Sequence, residues 1–174
     1  MITPEQEKWL SHLDDSNQIK ILPFDPSSKK KFELIKKEIR DSLGKKVQVL
    51  LKGATGMGIS GQGELDIYVP TLPKYFDTTV LSIEKRFGKP KSHYPLQRVR
   101  FVTSIEGTKV ELFVINKTSK DWIDSCKFED YVKKNPESLR AYEKLKGTGA
   151  GLSTREYHRR KIEFINDILS RQTS

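Results

Sequence analysis

The stretch Lys52-Gly53-Ala54-Thr55-Gly56-Met57-Gly58-Ile59-Ser60-Gly61-Gln62-Gly63-Glu64-Leu65-Asp66-Ile67-Tyr68-Val69 decides how this chain is read. Before it runs Val47-Gln48-Val49-Leu50-Leu51, a short β-branched segment that predicts a strand. It ends in Leu65 to Val69, a second strand that Pro70 is expected to stop. Gly56-Met57-Gly58-Ile59-Ser60-Gly61 has the GxGxxG spacing, but that fingerprint must open a helix within a βαβ unit. Here Gln62-Gly63-Glu64 runs straight into a strand, and no Gly-Lys-Ser/Thr follows to make a P-loop. The residues support a strand, a flexible glycine-rich loop starting at Gly53-Ala54, and a strand.

Working outward, Thr3-Pro4-Glu5-Gln6 reads as a capping box opening a short helix through Leu13. Asp25-Pro26 opens a second helix the same way, with Phe32, Ile35, Ile39 and Leu43 at helical spacing until Gly44. Phe76, Val80, Ile83 and Phe87 mark a third, followed by Gly88. Arg98 to Thr103 and Lys109 to Ile115 read as a hairpin turned at Glu106-Gly107. From Asp121 the pattern is helical, with breaks at Asn135-Pro136 and at Gly147 to Gly151, and Ser153 with Glu156 caps the last helix. The order predicts an α/β fold, a small mixed β-sheet flanked by helices with a helical C-terminal cap. A single domain over 1–174 is expected, with its α/β core at about 20–116 and the cap at about 117–174.

Composition narrows the function. Lys and Arg number 32 against 23 Asp and Glu, a net charge of +9 that favours phosphate-bearing partners such as nucleotides or RNA. Solvated helix faces account for the same charge equally well. Mean hydropathy is −0.61, and no segment approaches the roughly 18 apolar residues of a membrane span. The start of the chain lacks a secretory pattern, so a cytoplasmic protein is expected. One cysteine, Cys126, excludes an internal disulfide and a cysteine-rich zinc site. His12, His93 and His158 have no metal-ligand spacing.

Chemistry enters at Glu64-Leu65-Asp66. Strand alternation sends Glu64 and Asp66 to one side and Leu65 and Ile67 to the other. In Lys109-Val110-Glu111-Leu112-Phe113-Val114 the same rule separates Glu111 from the apolar face, and Glu111 joins the pair if its strand is adjacent. Three carboxylates on a rigid sheet suit Mg²⁺, which shares its shell with substrate phosphates. Ordinary outward-facing acids on half-exposed strands are the alternative. Near the C-terminus, Tyr157, Lys161, Phe164, Ile165 and Ile168 fall on one helical face, and Tyr142, Leu145 and Lys146 repeat the arrangement. A lysine in such a stripe either snorkels to water or meets an anion. Arg155, Arg159 and Arg160 read as solvated.

Lys52-Gly53-Ala54, Glu64-Leu65-Asp66-Ile67 and then Glu111 resemble the core of the DNA polymerase β-like nucleotidyltransferase superfamily. Ala54 stands where that pattern has serine, and Glu64 and Glu111 stand where aspartate is commoner. Phe128, Tyr131, Asn135-Pro136, Tyr142, Leu145-Lys146, Tyr157, Lys161 and Phe164-Ile165 resemble the ending of the GrpB family. That family carries an apolar residue at the first acid position and histidines near the third, unlike Glu64 and Glu111 here. The resemblances imply a metal-dependent nucleotidyltransferase, moving a nucleoside monophosphate from a nucleoside triphosphate to an RNA, protein or small-molecule acceptor. In that reading Glu64, Asp66 and Glu111 hold Mg²⁺, while Gly53, Ala54, Lys146 and Lys161 hold the phosphates. The alternative is a non-catalytic nucleotide- or RNA-binding module on a degenerate nucleotidyltransferase fold.

Overall fold

Five strands and seven α-helices are present among residues 1–172, the part described by a computed structural model. The chain divides into two compact units. One comprises Phe24–Gly58 and Gly63–Ile123; the other draws together Met1–Pro23, Ile59–Gln62 and the chain from Asp124 onward. No described helix is long and apolar enough to cross a membrane.

The first unit is a sheet with helices packed on one face. It is built from α2 (Ser28–Leu43), β1 (Leu50–Lys52), α3 (Gly53–Met57), β2 (Leu65–Thr71), α4 (Phe76–Phe87), β3 (Ser92–Tyr94), β4 (Arg98–Ile105) and β5 (Thr108–Asn116). Strand order is β1-β2-β5-β4-β3, with β2 and β5 parallel and the other neighbours antiparallel. The mixed sheet expected from the sequence is therefore present. Leu65, Ile67, Val69, Val110, Leu112, Val114, Val99 and Phe101 form its apolar face and meet Phe32, Ile35 and Ile39 of α2 and Phe76, Val80 and Ile83 of α4. The 3.6-residue spacing of those helical side chains is what lets a helix lay one stripe on a flat sheet.

Three local readings change. The glycine stretch does not begin as a flexible loop: Gly53–Met57 is a turn of helix that ends at Gly58, which takes the left-handed φ of 72° of a helix C-cap. Pro70 does not stop β2, which continues to Thr71. β1 is only three residues long and its register ends at Leu50–Tyr68, so the flank of β2 beside Pro70 has no partner strand to miss an N–H. Asp25-Pro26 does not itself open α2, which starts at Ser28; the Asp25 carboxylate instead accepts from the Ser27 N–H at 2.8 Å, the Ser27 hydroxyl at 2.7 Å and Lys31 Nζ at 2.9 Å. Lys31 Nζ also donates to the Thr108 hydroxyl at 2.7 Å, tying the start of α2 to the start of β5.

The second unit is helical. It contains α1 (Pro4–Ser11), α6 (Pro136–Gly147), α7 (Thr154–Arg171) and the greater part of α5 (Lys120–Lys134). The capping box of Thr3 with Gln6 is formed, and Asn135 and Ser153 cap α6 and α7 with their side chains. Phe128, Tyr142 and Phe164 stack edge and face, with ring centroids 5.2–6.3 Å apart. Arg155 is not merely solvated. Its guanidinium donates to the carbonyls of Leu10 at 3.2 Å, in the last turn of α1, and of Leu13 at 3.1 Å, just beyond it. Arg159 forms a two-pronged pair with Glu7 at 2.6 and 2.8 Å, and Arg160 pairs with Glu156 at 2.7 Å.

Two outcomes follow from this packing. Ile67→Ala, at a fully buried position of the central strand, is expected to lower unfolding free energy by about 2–5 kcal/mol, read from urea melts. The Lys31 and Ser27 hydrogen bonds hold the Asp25 carboxyl down at about 2 from its usual 3.8. A depressed carboxyl stabilises the fold above its unfolded pKa and loses that contribution as pH falls through the folded value. Between about pH 4 and about pH 2 the parent should therefore lose stability that Asp25→Asn never had, so the substitution flattens that limb of the curve.

Candidate functional site

The sheet face opposite α2 and α4 carries the charged residues. Register pairs Lys52 with Asp66 across β1 and β2, and Asp66 with Glu111 across β2 and β5. Directly paired side chains share a face, so the three stand in one row, completed on β4 by Val102. The next row contains Leu50, Tyr68, Phe113 and Arg100. Tyr68 and Phe113 stack with centroids 4.6 Å apart, and Trp122 lies 5.7 Å from the Tyr68 ring. The Lys52 ammonium sits 4.8 Å from the Trp122 ring centroid in a residue only 5% exposed, where water competes little with the aromatic face.

The carboxylates have different surroundings. Glu111 accepts from Lys109 Nζ at 2.5 Å and lies 3.3 Å from Arg100, with its side chain 15% exposed. Asp66 lies against Gly53. Gly53 has φ of +67°, and a Cβ built there would run into the Asp66 carboxylate. Glycine at this position is thus required both by the backbone and by the close approach of the acid. Ala54 is buried, with its methyl in the interior. Glu64 lies one residue before β2, and its backbone carbonyl accepts from the Thr55 hydroxyl at 2.9 Å.

Among the described residues no group of three or more His, Cys, Asp and Glu side chains is placed to hold a metal ion. Asp66 and Glu111 are neighbours, but the expected gathering of Glu64, Asp66 and Glu111 into a metal cluster does not occur. Alternation assigns a face and says nothing of neighbours: Glu111 is engaged by two cations, and Lys52 flanks Asp66 on the other side. As arranged, Glu111 is closed by two cations, and a magnesium pair would need its carboxylate oxygens released to coordinate.

Lys146 and Lys161 belong to the helical unit. Lys146, on α6, is 4% exposed, with Nζ 5.0 Å from the Tyr142 ring centroid and donating to the Tyr157 hydroxyl at 3.5 Å. Lys161 is half-buried on α7, one turn beyond Tyr157. Lys146 therefore does not project into water.

Local sequence pattern does not mark Lys52, Arg98, Arg100, Lys109 or Trp122 as members of this face. The arginines were nonetheless within reach of the sequence. Counting back from a two-residue turn at Glu106-Gly107 places Val102 opposite Glu111 and Arg100 opposite Phe113, as observed.

The fold and this face define an α/β protein with a helix-covered mixed sheet whose other side carries a row of paired charges. The chain belongs to the GrpB family: the family profile, described as GrpB protein, matches residues 18–171. Among solved structures it is similar to the conserved protein GrpB from Enterococcus faecalis, with 16% identity, covering 87% of this chain and 96% of that one at a TM-score of 0.65. That likeness establishes a shared fold. No curated protein matches the sequence.

Gly53→Ala is expected to destabilise the chain by about 1–3 kcal/mol, because it adds both a positive-φ penalty and a clash with Asp66. Adding Asp66→Ala should recover the part due to the clash, so a double-mutant cycle in urea melts should show non-additivity.

Proposed function

We propose that this GrpB-family protein is a nucleotide-binding module on a nucleotidyltransferase-like fold, in which side-chain cations meet the phosphates in place of a metal pair. The observation that carries this reading is the row Lys52, Asp66, Glu111 with Arg100 and Lys109 closed on Glu111. Counting Arg98, which alternation puts on the same face, the strands themselves carry four cations and two carboxylates on that face. A net positive sheet face with arginine forks suits a polyanion. Tyr94, about half exposed beside Arg98 at 5.7 Å, supplies an aromatic surface for a base.

A second reading is metal-dependent nucleotidyl transfer to an RNA, protein or small-molecule acceptor, favoured by the in-register adjacency of Asp66 and Glu111. It requires Glu111 to leave Arg100 and Lys109 when Mg²⁺ and nucleoside triphosphate arrive. Calorimetry of the full chain with each nucleoside triphosphate, with Mg²⁺ and with a chelator, separates the two. The binding module should take up triphosphate in chelator, and Arg98→Gln with Arg100→Gln should weaken binding about tenfold. Binding only with Mg²⁺, together with transfer of labelled nucleotide that Asp66→Ala abolishes, would establish the enzyme instead. No heat with any triphosphate in either condition would sink both.

A further inference from the structure

The far end of β2 holds a second polar cleft. β1 stops pairing at Tyr68 while β2 runs on to Thr71, and this shortfall leaves a notch beside Pro70 and Thr71. The turn after α2, through Lys46, Val47 and Gln48, forms one wall, and Tyr75 and the first turn of α4 form the other. The resulting cleft has a volume of about 510 Å³, within the range of small-molecule sites. It lies about 17 Å along β2 from Asp66, five residues at strand rise, and is therefore separate from the row described above.

Its lining is cationic and hydroxylic. Lys46 and Lys117 border it and no aspartate or glutamate does. Among the described residues neither lysine ammonium forms an ion pair or a hydrogen bond. The Lys117 backbone is held in place by its N–H donating to the Thr71 carbonyl at 3.0 Å. Thr79 is 8% exposed, and among the described residues its hydroxyl has no hydrogen-bond partner. Since no wholly enclosed side-chain polar atom among the described residues lacks a partner, that oxygen opens on the cleft it lines. A nearly buried hydroxyl left without a partner loses free energy unless something donates to it or accepts from it.

We propose that this cleft binds a small phosphorylated molecule, its phosphomonoester group lying between Lys46 and Lys117 and accepting from the Thr79 hydroxyl. Two ammonium groups match the double charge of a phosphomonoester better than the single charge of a carboxylate. Leu43, Val47, Leu72 and the Tyr75 ring supply apolar surface for the organic part, for which a bare phosphate has no use.

The test is an amide-resolved NMR titration of the full chain with ribose 5-phosphate and, separately, with inorganic phosphate, at constant ionic strength. Ribose 5-phosphate should move the amides of Thr71, Thr79 and Lys117 saturably, leave Gly53 and Asp66 in place, and bind more tightly than inorganic phosphate. Lys46→Gln with Lys117→Gln, at exposed positions without partners, should weaken it about tenfold, and the isosteric Thr79→Val a few-fold. Cleft amides that do not move, that move equally with sodium chloride, or that respond unchanged in the lysine variant would overturn the proposal. Triphosphate binding on the Asp66 face is read at Gly53, so either site can fail without the other.

Discussion

The parallel pairing of β2 with β5 is the constraint on which the sheet-bearing unit depends. It sets Leu65 beside Val110, Ile67 beside Leu112 and Val69 beside Val114, and these side chains make the centre of the core. The same register sets Asp66 beside Glu111 on the other face. A slip of one residue would exchange the two faces, sending the carboxylates into the core and the branched side chains out of it. The heavy cost of burying uncompensated carboxylates makes the charged row and the apolar core a single choice.

Two adjacent carboxylates repel, and the fold answers with cations rather than with free coordinating oxygens. Lys52 stands opposite Asp66, while Lys109 and Arg100 close on Glu111. Lys52 is buried with its ammonium over the Trp122 ring, which offers a charge a partial replacement for water. Gly53 is part of the same arrangement, because its missing side chain is the space in which the Asp66 carboxylate lies. A glycine that looks in the sequence like an opening for a ligand's phosphate is, in the structure, first an opening for a carboxylate of the protein's own.

The shortness of β1 has consequences at both of its ends. At Lys52 the strand passes directly into α3, so the acid-bearing face meets the glycine turn without an intervening loop. At Leu50 it leaves β2 unpaired beyond Tyr68, which accommodates Pro70 and opens the cleft between Lys46 and Lys117. One short edge strand thus borders two polar regions at opposite ends of the same β2.

Local physics made much of this legible in the sequence. The capping box at Thr3, the caps at Asn135 and Ser153, the apolar stripe of Phe32, Ile35 and Ile39 and the Glu106-Gly107 hairpin each depend on residues within a turn or two of one another. Alternation likewise put Asp66 and Glu111 on the non-core faces of their strands. What only the tertiary structure decided was which residues meet across distances in the chain: Lys52 with Trp122, Asp66 with Gly53, Arg155 with the end of α1, and the notch beside Pro70. Periodicity specifies the direction a side chain takes from its own backbone, whereas its neighbours depend on strand order and register, which long-range burial selects.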